Sequence, residues 1–340
     1  MAEPMNFANV AGTKPEDTPL KTVQIDGQVL LKVIKHCKEC MPSLVTGQLL
    51  GLDIGSTLEV TSSFPFPSRS EEDDAEADGA NYQLEMMRCL REVNVDNNTV
   101  GWYQSTYLGS YQTVELIETF LNYQENIKRC VCLVYDPYRS SQGGLALKAL
   151  KLKDTFMEIY RACPNGVSTD DLAKASIGWK DIFHEIPVSI ANSSLHSALM
   201  DELQSEVTAN QADFDRLVLS TNPYLEKNLE FLIECLDDLQ LEQQKGAFYY
   251  RNLSRQQQQH AQWLQKRRAE NFARRAAGEE PLPEDDASNP MHKTLTEPSR
   301  LEGLLITNQV NNYCSQINQF SSQSLQKLYL MQGLHGTESV

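Results

Sequence analysis

The stretch that most constrains this chain is Gly101-Trp102-Tyr103-Gln104-Ser105-Thr106-Tyr107, running on towards Glu115 and Glu118. Val100 precedes it, and Val114, Ile117 and Leu121 follow at helical spacing. The pattern predicts a strand, a short loop and a helix. A junction of that shape can hold a hydrolytic metal, with ligands at the strand end and more from the helix. In an extended segment Gln104 and Thr106 point to one face. Two imidazoles there would reach a zinc ion. The chain instead places an amide and a hydroxyl, both poor zinc ligands beside imidazole.

This stretch resembles the MPN domain family. Gly101, Trp102, Tyr103 and Ser105 match the strand end of its zinc-dependent members, which cleave ubiquitin-type isopeptide bonds. Gln104 and Thr106 stand where those members carry histidines, and Tyr107 replaces a proline. The place of the family's aspartate falls near Ile117, flanked by Glu115 and Glu118. Upstream, Val45-Thr46-Gly47-Gln48-Leu49-Leu50-Gly51 is similar to the family's other signature strand, with Leu44 in the glutamate position. The resemblance implies an MPN frame whose metalloprotease positions, Leu44, Gln104 and Thr106, are degenerate. It implies no catalytic residue, no bound metal and no cofactor.

Further segments are similar to one branch of the family, which contributes to eukaryotic translation initiation factor three. They are Val23 to Gly27, Phe64 to Pro67 with the acids that follow, Gln83 to Arg88, Tyr135-Asp136-Pro137 and Gln256 to Gln259. The resemblance covers roughly residues 20 to 334. It implies a cytoplasmic, non-catalytic scaffold that supports recruitment of mRNA and initiator tRNA to the small ribosomal subunit. The implied partners are the factor's other MPN protein, the f subunit, and PCI-domain subunits, which would share a helical bundle with this chain. Two alternatives stay open: a zinc isopeptidase with unorthodox ligands, and an equivalent scaffold of the proteasome lid or signalosome.

The length of 340 residues allows one or two domains with a real core. A net charge of −16 argues against a free-standing nucleic-acid binder, because phosphate contacts need a basic surface. No apolar run is long enough to cross a bilayer. The start, Met1-Ala2-Glu3-Pro4, lacks the basic and apolar parts of a signal peptide. The sequons at Asn97, Asn192 and Asn252 are then background matches. Eight scattered cysteines do not make a disulfide scaffold. Cys37 and Cys40 are expected to be ordinary thiols, with a redox or metal role as the alternative; Cys130 and Cys132 read as small core residues. None of the six histidines pairs with another at ligand spacing. There is no Gly-x-Ser-x-Gly elbow and no phosphate-binding glycine loop.

The expected architecture is α+β: a mixed sheet flanked by helices, then a long-helical C-terminal region. Residues 1–20 are expected to be a disordered lead, 21–152 the MPN core and 153–220 an extension. Within that extension, Ile186, Val188 and Ile190 alternate around Pro187 as an edge strand. Glu71 to Asp78 reads as a solvated acidic loop, or else a docking strip for a basic partner. In 221–277, Leu225, Leu229, Leu232, Leu236 and Leu239 form a heptad seam, followed by a polar, locally basic helix. That basic stretch is either solvated or a contact for RNA or an acidic partner. Residues 278–300 read as a linker long enough to leave the last helix, in 301–340, free to reach other chains. A second seam, Ile306, Val310, Tyr313, Ile317 and Phe320, marks that helix as the other expected partner-binding element; the alternative is that the two seams cover each other as an intramolecular hairpin.

Overall fold

Period-two runs of β-branched and aromatic residues build the strands, and 3.6-period stripes build the helices that cover them. The computed structural model describes residues 19–67, 75–96, 98–141, 144–163, 166–205, 223–278, 280, 295 and 297–334. Residues 1–18 of the expected lead, most of the linker, Asn97 and the first acids of the acidic run lie outside these residues, while Leu20, expected in the lead, packs against the core. In order the elements are β1 (Thr22–Asp26), α1 (Gly27–Glu39), β2 (Thr46–Ile54), β3 (Thr57–Pro65), α2 (Ala75–Glu92), β4 (Thr99–Ser105), α3 (Val114–Asn126) and β5 (Val131–Tyr135). Then come α4 (Pro137–Ser140), β6 (Leu147–Leu152), α5 (Asp154–Ala162), α6 (Thr169–Ala175), β7 (Phe183–Ile186), β8 (Val188–Ala191), α7 (Ser194–Ser205), α8 (Pro223–Ala277) and α9 (Leu301–Leu334).

The eight strands form one mixed sheet in the order β7-β6-β5-β4-β2-β3-β1-β8. β4 runs antiparallel to β2, pairing Gly47 with Tyr103 and Thr46 with Gln104, and parallel to β5, pairing Ser105 with Tyr135. The segment around Pro187 makes two edges rather than one. Ile186 pairs with Ala149 of β6, whereas Val188 pairs with Val23 of β1. β7 and β8 stand at opposite ends of the strand order with one residue between them, so the sheet curls until its edges meet. The segment expected to be an extension therefore completes the sheet. Proline suits the joint because it has no N–H to leave unpaired.

Each face of the sheet has its own core. α1 sets Val29, Val33 and Cys37 against Ile25, Leu49, Val60 and Leu133. On the other face Leu116, Ile117 and Phe120 of α3 meet Trp102, Cys132, Phe156 and the first turns of α9, Leu301 and Leu305. Cys132 and Leu133 alternate between the two cores, as neighbours in a doubly covered strand must. Burying each such side chain contributes about 1.5–3 kcal/mol.

Two expectations change. The acidic run is not all loop: α2 begins at Ala75, inside it. Acids are favoured at helix N-termini, where they meet the positive end of the helix dipole. The tail also packs differently. α8 is a single helix of 55 residues, and its covered face is Tyr224, Asn228, Phe231, Leu232 and Cys235. Within the leucine seam Leu225, Leu232 and Leu239 are half-buried, while Leu229 and Leu236 are exposed. α9 is not free at its start. Leu301, Leu305, Gln309, Tyr313 and Gln316 are buried, with Ile306, Val310, Ile317 and Phe320 half-buried beside them. Aromatic side chains on both helices and on the loop after β4 offer more area than the leucines, and they select the buried face.

Candidate functional site

Leu44, Gln104 and Thr106, the positions expected to be degenerate, gather at one end of the β2–β4 pair. Ser105 clamps that end: its Oγ accepts from Val45 N at 2.7 Å, and its own N donates to Val45 O at 2.8 Å. Leu44, next to Val45, is 64 % exposed. Gln104 is half-buried, and Thr106 is buried with its N donating to Tyr135 O at 2.9 Å. Ile117, near the expected aspartate position, is fully buried in the apolar core beside Trp102. The arrangement offers an alkyl group, an amide, a hydroxyl and a second alkyl group. Among the described residues, no three His, Cys, Asp or Glu side chains cluster as a metal site.

The neighbouring residues hold the strand end. The Tyr103 ring lies over Gly47, where any added Cβ would come within 2.4 Å of it. Its hydroxyl meets His36 Nδ1 at 2.9 Å. Burial lowers the His36 pKa despite Glu39 nearby. Burial also pushes the Cys37 thiol up to about 12. Cys130 is likewise pushed up to about 12 by burial. Asp136 is a buried carboxylate close to the strand end. Its Oδ1 accepts from Arg139 N at 2.9 Å and caps α4. Burial raises its pKa above the usual carboxylate range, with the hydrogen bonds from Arg139 and Gly109 opposing that shift.

Sequence reasoning missed what Tyr107 does. Its ring lies 5.5 Å from Tyr138 and 5.8 Å from Phe231 of α8. Its hydroxyl accepts from Lys227 Nζ at 2.8 Å. Beyond it Leu108 and Gly109 take positive φ, +52° and +75°. That turn exposes two carbonyls to α9. Gln309 and Asn312 donate to Gly109 O at 2.9 and 3.0 Å, and Gln316 donates to Leu108 O at 3.2 Å. Tyr313, between these amides, stacks on Phe231 with centroids 6.1 Å apart and planes at 10°. The loop after β4 is thus a socket for both tail helices. The readable signal was a tyrosine in place of proline, with amides on α9 at positions 309, 312 and 316.

Two family models match the chain: one described as JAB1/Mov34/MPN/PAD-1 ubiquitin protease over residues 18–129, the other as the C-terminal region of eIF3h over residues 140–340. The chain is 64 % identical over 317 residues to the H subunit of eukaryotic translation initiation factor 3 from Arabidopsis thaliana, covering 93 % of this chain and 94 % of that one. It is 48 % identical to the same factor's H subunit from Nematostella vectensis, covering 92 % and 93 %. For the counterpart from Dictyostelium discoideum the identity is 46 %, covering 94 % and 96 %.

Proposed function

Because the chain belongs to the eIF3h family, the H subunits of eukaryotic translation initiation factor 3, we propose that it acts as a non-catalytic scaffold within that factor. In this reading it works in the cytoplasm and supports delivery of mRNA and initiator tRNA to the small ribosomal subunit. It pairs with the factor's other MPN protein, the f subunit, and its tail helices join those of PCI-domain subunits. No described helix is long and apolar enough to cross a membrane.

One observation carries the reading. At the strand end where a zinc-dependent MPN protein presents imidazoles, this chain has Gln104 and Thr106, and the next residue, Tyr107, is committed to the tail. Leu44, Gln104 and Thr106 are then a lapsed metal site. Catalytic zinc needs three protein ligands and an open water position. The tail also keeps apolar surface uncovered: Leu229, Leu236 and Leu241 on α8, and Leu325, Leu328, Tyr329 and Leu330 on α9. Exposed apolar side chains on both tail helices suit burial against other subunits.

Affinity purification of the tagged chain from cell lysate, with mass spectrometry of what comes with it, tests the assembly. Recovery of the f and PCI-domain subunits is expected; recovery of proteasome-lid or signalosome subunits in their place would redirect it. Metal analysis of the pure protein tests the site. One tightly held zinc per chain, with chelator-sensitive cleavage of a ubiquitin conjugate, would overturn the scaffold reading.

A further inference from the structure

Helix α8 is electrically divided. Residues 223–250 carry six acids, Glu226, Glu230, Glu234, Asp237, Asp238 and Glu242, against two lysines. Residues 251–277 carry seven basic side chains and a single acid, Glu270, in a chain of net charge −16. The pull of a helix C-terminus on cations fades within the last turn, so it accounts for Arg274 and Arg275 alone.

Two adjacent faces of this basic segment differ. Arg267, Asn271 and Arg274, spaced i, i+4, i+7, share the engaged face. Asn271 is buried, and Arg267 lies 5.4 Å from the Trp263 ring and 3.7 Å from Glu270. One step round the helix, Arg268, Phe272 and Arg275 repeat the spacing and are all exposed, Phe272 to 78 %.

We propose that the Arg268–Phe272–Arg275 face of α8 binds an unpaired stretch of RNA, with Phe272 stacked on a base and the two guanidinium groups on phosphates to either side. The arginines stand about 10 Å apart along the axis, with the ring between them. A water-exposed aromatic ring flanked by cations suits a strand whose bases are splayed out. An acidic protein surface would answer the charges equally well. It would use Phe272 only as an apolar contact, though, and leucine would serve the same purpose. This goes beyond the scaffold role and does not depend on it.

The test is fluorescence anisotropy of the full-length chain with a fluorescein-labelled, unstructured uridine oligoribonucleotide across a salt series. The double variant Arg268→Gln/Arg275→Gln is expected to weaken binding about tenfold or more and to reduce the logarithmic salt slope by about 1.4. Phe272→Leu is expected to weaken it about tenfold, and Phe272→Tyr to retain it. Circular dichroism of each variant confirms that the exposed substitutions leave the helix intact. No binding by the unaltered chain, or a double variant that matches it, would overturn the proposal. Unchanged binding by Phe272→Leu would also overturn it, because the ring would then not be stacked on a base.

Discussion

Replacing Tyr313 with alanine should loosen the tail around Tyr313 while leaving the sheet, and the first turns of α9 packed on it, intact. The ring is 1 % exposed, stacks on Phe231, and closes a cluster with Leu108 and Tyr224. Truncating a buried aromatic side chain of this size costs about 3–5 kcal/mol. The core between α1 and the sheet shares no residue with that cluster, so the loss should stay local. Hydrogen exchange reads this directly. At about 3 kcal/mol, amides of α9 near Tyr313 and of the loop after β4 should exchange roughly a hundredfold faster. Amides of β4 and β5 should keep their protection. Tyr313→Phe retains the stacked ring and should cost no more than about 1.5 kcal/mol. If β5 lost protection in step with α9, the tail and sheet would be one cooperative unit and the reasoning would fail. Unchanged exchange in α9 would mean that Tyr313 does not hold it.

Gly109→Ala should destabilise by about 2–3 kcal/mol in urea titration, because it forces a left-handed alanine and disturbs at least one clamp hydrogen bond; its Cβ would come within 2.5 Å of Gln316 Nε2 at φ +75°. Gly303→Ala, a helical position with nothing within 4 Å of its Cβ, should instead stabilise by up to about 1 kcal/mol. Asp136 has its pKa raised by burial, so the folded chain binds its proton more tightly than the unfolded chain. Stability should therefore fall as pH rises from the ordinary carboxylate range to the raised value. Asp136→Asn, which can still cap α4, should remove that loss, visible as a flatter curve of midpoint against pH in denaturant. Gln104→His/Thr106→His with added zinc should cleave no model ubiquitin conjugate, since Leu44 supplies no base and Ile117 is sealed in the core; cleavage would place the site much nearer activity.

The strands were legible because alternation is local: Leu58, Val60, Ser62 and Phe64 declare their faces without reference to anything distant. Leu44, Gln104 and Thr106 were legible as a set only through a resemblance, and the sheet then brought them to one end. Two things were not legible. Pro187 marks an edge strand, but whether one segment serves one edge or two depends on how far the sheet curls, which no window of residues encodes. The buried face of α8 was only partly legible for a related reason: Leu225, Leu232 and Leu239 of its seam are half-buried, while Leu229 and Leu236 are exposed. A heptad of leucines announces that some surface must be covered. Which surface is covered first depends on a partner elsewhere in the chain, here Tyr107 and the turn at Leu108–Gly109.

The joint at Pro187 also sets an order for folding on the ribosome. β1 is among the first segments made, yet one of its neighbours, β8, emerges only after every other strand. Until residues 183–191 arrive, β1 and β6 both present open hydrogen-bonding edges, and open edges are where nascent chains join one another. Pairings this distant in sequence are slow to form. A chain that stopped before Phe183 would lose two strands and both closures at once. A truncated product of that length should therefore aggregate through its sheet edges, even though six of the eight strands are present.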